Sequence, residues 1–126
     1  MQANVDKIIA AAVATNSFNE TGEVPPDEIE RYPAFYQYGR EISADGLQGG
    51  RKVFAVDIDY TCYIIVDPES TFSALDTLRS SFLSKLADQN AIVVSFSSRQ
   101  FKFMIGSEEA FVDLLVVTMR NELTMS

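Results

Sequence analysis

Apolar and polar residues alternate most clearly between residues 51 and 66. In a β-strand, successive side chains point to opposite faces of the sheet, so this pattern predicts one long strand. One face would carry Phe54, Val56, Ile58, Tyr60, Cys62 and Ile64, and the other Val53, Ala55, Asp57, Asp59, Thr61 and Tyr63. The first face is predicted to be core, and the hairpin that contains this strand is long enough for part of it to project from the domain.

Three further segments have the composition of strands. Residues 33–43 are rich in aromatic side chains after Pro33, and "AIVVSFSS" and "FVDLLVVTM" are rich in β-branched residues. The segment between the last two, "RQFKFMIGSEE", is predicted to be a polar connection. The chain is therefore expected to form a mainly antiparallel sheet of about four strands.

Two segments have the apolar spacing of amphipathic helices. The first would end by residues 15–18, and the second would have Asp67 as its N-cap and Pro68 at its first position. The predicted apolar stripes are Val5, Ile8, Ile9, Ala12 and Val13 in the first helix, and Phe72, Leu75, Leu78, Phe82, Leu83 and Leu86 in the second. Both helices would pack on the sheet, which gives an α+β fold in a single domain, residues 1–126.

Two segments are expected to lack regular structure. Residues 19–32 combine acidic residues with prolines and are predicted to form an exposed link. A Gly-rich stretch is predicted to be a mobile hairpin loop, because glycine leaves many backbone conformations accessible. Its residues are Ala44, Asp45, Gly46, Leu47, Gln48, Gly49, Gly50, Arg51 and Lys52.

Composition narrows the chemistry. With 10 Lys and Arg against 18 Asp and Glu, the net charge of -8 would repel a nucleic-acid backbone. The chain has no histidine, which removes the commonest general base, the usual Ser and Cys triads and most zinc sites. Cys62 is the one cysteine, so an intracellular, reducing setting is favoured, with this thiol as a small buried apolar group.

The candidate chemical motifs are weak. Glycines 46, 49 and 50 match neither the dinucleotide fingerprint nor the P-loop, because a strand and not a helix follows them. Asp57 and Asp59 share a strand face and could hold a divalent cation, but no third ligand stands at a recognisable spacing. A solvated acidic face explains them equally well. No catalytic, cofactor-binding or metal-binding residue and no membrane span are predicted.

The order of the segments resembles the tail-terminator (minor tail protein U-like) family of long-tailed bacteriophages. Pro33-Ala34-Phe35, residues 56–65 and residues 111–120 stand where that family has its first strand, its second strand and its final edge strand. The resemblance extends over nearly the whole chain and carries no signature motif.

The resemblance implies a structural virion protein, without enzyme activity or cofactor. Such a protein forms a hexameric ring that caps the tail tube, ends its polymerisation and provides the surface that joins the head. Its partners would be its own copies, the tail-tube protein and a head-tail connector or neck protein. It would be made in the host cytoplasm and end at the head-proximal end of the tail, with no membrane contact. DNA would pass through the ring without specific binding, Asp57 and Asp59 would line the channel, and residues 44–52 would form the assembly hairpin.

Three alternatives remain open. Related neck or tail-completion proteins share much of the pattern. The net charge also fits an acidic inhibitor that mimics DNA, and Asp57 with Asp59 fits a small metal-dependent enzyme. Ring formation, competition with DNA for a host protein, and stabilisation by metal discriminate among these classes.

Overall fold

The chain forms helices on one side of a single five-stranded sheet. The computed structural model describes residues 2–23, 31–49, 53–105 and 107–124. The elements in chain order are α1 (Gln2–Thr15), β1 (Glu20–Gly22), β2 (Ala34–Gly49), β3 (Val53–Val66), α2 (Phe72–Ala87), β4 (Val93–Ile105) and β5 (Glu108–Thr124). The predicted α+β class is confirmed, whereas the predicted number of about four strands is wrong because the sheet has five.

The long strand β3 lies at the centre of the sheet. The strand order is β1-β2-β3-β5-β4, and only the β1–β2 pair is parallel. Strand β3 pairs with β5 along the whole length of β3, from Val53 opposite Thr124 to Val66 opposite Phe111. The expected projection of a two-stranded hairpin is therefore wrong, because a third strand accompanies β2 and β3.

Strand β1 lies within the segment predicted to be an exposed link. It pairs with the start of β2, with Glu20 opposite Ala34 and Gly22 opposite Tyr36. The Tyr36 hydroxyl donates a hydrogen bond to the Glu20 carboxylate, and the Asn19 amide donates to the Pro33 carbonyl at 2.8 Å. Residues 20–22 are half-buried, so the prediction is wrong there, and residues 24–30 lie outside the described ranges.

Strand β2 is irregular where it pairs with β3. Between Gln37 and Arg40 it has one extra residue, and Gly39 adopts a φ of 96°, which a residue with a Cβ rarely adopts. Further along, residues 43–46 lie opposite the single residue Asp57. The predicted loop is wrong for residues 44–49, which belong to β2, and residues 50–52 lie outside the described ranges.

The main core lies between the sheet and the two helices. The alternation along β3 is confirmed, because its predicted core face is buried against α1 and α2 from residue 56 to residue 64. Phe35 from β2 lies between two rings, with centroid separations of 5.4 Å to Phe18 and 4.7 Å to Phe82. These aromatic contacts fix α2 to the start of β2.

Helix α2 begins later than the sequence predicts. Its N-cap is Thr71, whose side chain accepts a hydrogen bond from the Ala74 amide at 3.4 Å. Asp67 is not the cap, because its carboxylate instead accepts from the Glu69 amide at 3.0 Å and closes a separate turn. With 14 and 16 residues, neither helix in the described ranges is long and apolar enough to cross a bilayer.

Two phenylalanines of α2 test this account of the core. Phe82 is 0% exposed, whereas Phe72 is 39% exposed and contacts Phe111 edge to face. We expect Phe82→Ala to lower the free energy of unfolding by about 3–5 kcal/mol, because it leaves a cavity between helix and sheet. Phe72→Ala should cost less than about 1.5 kcal/mol. Urea denaturation of both variants measures the difference, and equal losses would contradict the assignment of Phe82 to the core.

Candidate functional site at the open sheet surfaces

The sheet face opposite the helices is the first surface open to a partner. At one end it is apolar and closely packed around a small cluster of Ala34, Tyr36, Ile65, Ala110 and Val112. Tyr32, Tyr63 and Phe101 are partly buried against this cluster. At the other end the face becomes polar, where Asp57 and Asp59 of β3 lie beside β5.

The two aspartates have separate intrachain partners. Asp57 is 7% exposed, and its carboxylate receives two hydrogen bonds from Arg120, from Nε at 3.0 Å and from a terminal nitrogen at 3.4 Å. Asp59 is half-buried and accepts a hydrogen bond from the Thr118 hydroxyl at 2.6 Å. Both contacts follow from the β3–β5 register, which places Asp57 directly opposite Arg120 and Asp59 directly opposite Thr118.

These contacts bear on the two roles considered for Asp57 and Asp59, which are binding of a divalent cation and lining of a DNA channel. Because Arg120 offsets the charge of Asp57, Asp59 is the carboxylate with less compensation from within the chain. Among the described side chains, no cluster of three or more cysteine, aspartate or glutamate residues is placed to hold a metal ion. Lining of a channel by Asp57 and Asp59 stays a prediction.

The structure brings the predicted assembly hairpin and the predicted acidic pair to the same end of the sheet. Residues 43–46 of β2 lie opposite Asp57, and the pairing resumes with Leu47 opposite Val56 and Gly49 opposite Phe54. The sequence predicted residues 44–52 as a loop that leads into the strand with Asp57 and Asp59, whereas the register pairs residues 47–49 with that strand. A partner that contacts the predicted assembly hairpin would therefore also lie close to Asp57 and Asp59.

A polar cluster on the helix-covered face was not predicted from the sequence. Asp113 of β5 is 0% exposed and accepts hydrogen bonds from Arg79 at 2.8 Å, Ser98 at 2.7 Å and Gln100 at 3.2 Å. Arg79 also pairs with the exposed carboxylate of Asp76 at 3.1 Å. The one signal in the sequence was a single charged residue within the apolar run "FVDLLVVTM". The cluster connects α2 to β4 and β5, so its arrangement fits a structural role.

A shallow groove of about 410 Å³ lies where the start of α2 meets the end of β3. Its lining consists of Tyr32, Pro33, Val66, Asp67, Ser70, Ala74, Thr77 and Leu78. Asp67 is the one ionisable group of the lining besides the phenol of Tyr32, and its carboxylate is already bound by the Glu69 amide.

The two sheet edges are the remaining open surfaces. Within the described ranges, β1 pairs with β2 only at residues 34–36, and no other described strand pairs with the outer side of β2 from residue 37 onward. Strand β4 is likewise at the edge of the described sheet along its whole length. Large apolar side chains are exposed along β4 and just before it. They are Ile92 (54% exposed), Val94 (46%), Phe96 (52%), Phe103 (58%) and Met104 (54%). Five of the eight large hydrophobic side chains that are exposed in the described ranges therefore lie on β4 or just before it.

A comparison with solved structures finds a chain with a similar fold. A chain in the structure described as the virion of a native gene transfer agent (GTA) particle is similar with a TM-score of 0.50 and 12% sequence identity. The match covers 96% of this chain and 95% of that chain, and at this identity it shows a shared fold. No protein-family model and no curated protein sequence matches the chain.

The buried aspartate provides a test of the polar cluster. Arg79→Met would leave the Asp113 carboxylate buried without its cationic partner, so we expect a loss of about 3 kcal/mol in the free energy of unfolding. Asp76→Asn is the matched control, because it removes only the exposed partner of Arg79 and should cost less than about 1 kcal/mol. Thermal or urea unfolding distinguishes the two, and a neutral Arg79→Met would show that the ion pair does not hold α2 on the sheet.

Proposed function

We propose that the protein is a structural component of a phage-like particle. The observation that carries this proposal is the shared fold with a chain of the gene transfer agent virion over 96% of this chain. A match of that extent spans nearly the whole chain, so it concerns the overall arrangement and not one short motif.

Within that class, we propose a tail terminator that forms a ring of six copies on the end of the tail tube. The sequence resemblance to tail terminators supports this finer assignment. The structure adds a physical argument, since a sheet with helices on one face leaves its other face and two edges for neighbouring subunits. Cyclic rings of more than two subunits need two unlike surfaces, and the two edges differ in sequence and exposure.

In this proposal the partners are the tail-tube protein on one side of the ring and a head-tail connector or neck protein on the other. The segment that would recognise the finished tube is the end of the β2–β3 hairpin, residues 44–52. Asp57 and Asp59 lie at the same end of the sheet, so they would face the DNA path close to this contact.

The proposed role is mechanical and not catalytic. Three carboxylates that would be candidates for chemistry, those of Asp57, Asp59 and Asp113, each have hydrogen-bond partners within the chain. Carboxylates held in this way support the register of the strands and the docking of α2. This arrangement favours a rigid building block for assembly.

Disruption of the gene in the replicon that encodes the protein tests the proposed function. Particles should then show heads without attached tails or tails of excessive and variable length, because nothing would end tube growth. Complementation with the wild-type gene is the control and should restore tails of uniform length. Electron microscopy provides the measurement, and normal tailed particles without the gene would refute the proposed function.

A further inference from the structure

The first part of strand β4 lacks most of the features that protect open sheet edges. An exposed strand presents unpaired amide and carbonyl groups, and natural proteins guard such edges with charges, prolines, bulges or short length. Strand β4 has 13 residues, and its first part, residues 93–98, contains no charged residue, proline or glycine. One bulge near Val94 interrupts this part, and the charged residues Arg99 and Lys102 come after it. Such a segment readily pairs with another strand.

We propose that β4 of one subunit pairs with the open part of β2 in a second copy of this chain. The assembly would be head to tail, so that the sheet continues from each subunit into the next. This inference adds a subunit contact to the proposed ring. That the assembly closes into a ring rests on the proposed function. The edge pairing itself rests on the geometry and charge of the two strands.

Strand direction fits this pairing. Because β2, β3, β5 and β4 are antiparallel in turn, β4 runs opposite to β2. When subunits are related by rotation around a ring, β4 therefore meets the neighbouring β2 in the antiparallel direction, which is the pairing used in most of the sheet. The open part of β2 in the described ranges is residues 37–49, and β4 has 13 residues. The two irregular segments of this part of β2, at residues 38–39 and 43–46, divide it into shorter regular stretches for the pairing.

The charges of the strands favour β2 of the second copy, and not its β4, as the pairing partner of β4. Arg99 and Lys102 are the only charged residues of β4, and both are exposed. Pairing of β4 with its own copy would bring these positive charges together near the middle of the interface, which destabilises a sheet. In the sequence of residues 37–49, Glu41 and Asp45 stand against one arginine, Arg40, so the net charge of this segment is of the opposite sign.

A lysine placed on the edge tests the proposal. Val94→Lys inserts a charge into β4 at a position that is 46% exposed, so the subunit should still fold but lose its self-association. Val13→Lys is the matched control, because Val13 is 59% exposed but lies on the helix α1 and not on a strand. Circular dichroism checks folding, and analytical ultracentrifugation measures mass. The wild type and Val13→Lys should form the same oligomer at a concentration where Val94→Lys is monomeric.

Crosslinking identifies the paired edges. Cys62 can stay in place, because burial raises the pKa of its thiol and keeps it unreactive. One chain carries Met104→Cys near the end of β4, and a second carries Tyr38→Cys near the start of the open part of β2. A short bis-maleimide should join these two chains when they are mixed. A third variant, Ser97→Cys near the middle of β4, should give no dimer by itself, and the wild type is the background control.

Three results would overturn the proposed pairing. Efficient crosslinking of Ser97→Cys alone would show that β4 pairs with β4. An unchanged oligomer for Val94→Lys, with no crosslink in the mixture, would show that other surfaces join the subunits. A protein that stays monomeric and uncrosslinked at its highest soluble concentration would show that the edges do not associate. None of these results would refute the proposed virion role, which gene disruption tests separately.

Discussion

Strand β3 is hydrogen-bonded to a neighbour on both sides, and the rest of the structure depends on this pairing. Its alternation buries Ile58, Tyr60 and the residues in line with them under α1 and α2. Because both helices cover the same face, the opposite face and the two edges are left for contacts outside the chain. The alternation of apolar and polar residues in one strand thus assigns one face of the sheet to the core. The other face and the edges stay available for contacts with other molecules.

The polar residues support this separation by fixing the strands relative to one another. A shift of one residue between β3 and β5 would move every side chain to the other face. It would also break the Asp57–Arg120 ion pair and expose the hydrophobic side chains beneath the helices. Asp113 and Arg79 act on the other face, where they hold α2 against β5. Such rigidity favours binding of a partner, since a preformed surface loses less conformational entropy on binding.

The sequence predicted the features that depend on local pattern and missed those that depend on contacts between distant segments. The core face of β3 followed from its alternation. Strand β1 did not, because Glu20–Gly22 is a strand only where β2 offers a partner for it. The predicted polar connection after residue 98 is largely strand, since β4 continues to Ile105 and β5 begins at Glu108. Asp113 was missed because only the fold shows that Arg79 reaches it.

Hydrogen exchange along β4 tests most directly whether neighbouring subunits complete the sheet. In the monomer, the amides of β4 that bond to β5 should exchange slowly, and those that point outward should exchange quickly. In assembled protein the outward amides should become protected, together with the amides of β2 beyond residue 36. Fast exchange of the outward amides of β4 in both states would contradict the account, because it would leave this edge uncovered in the assembly.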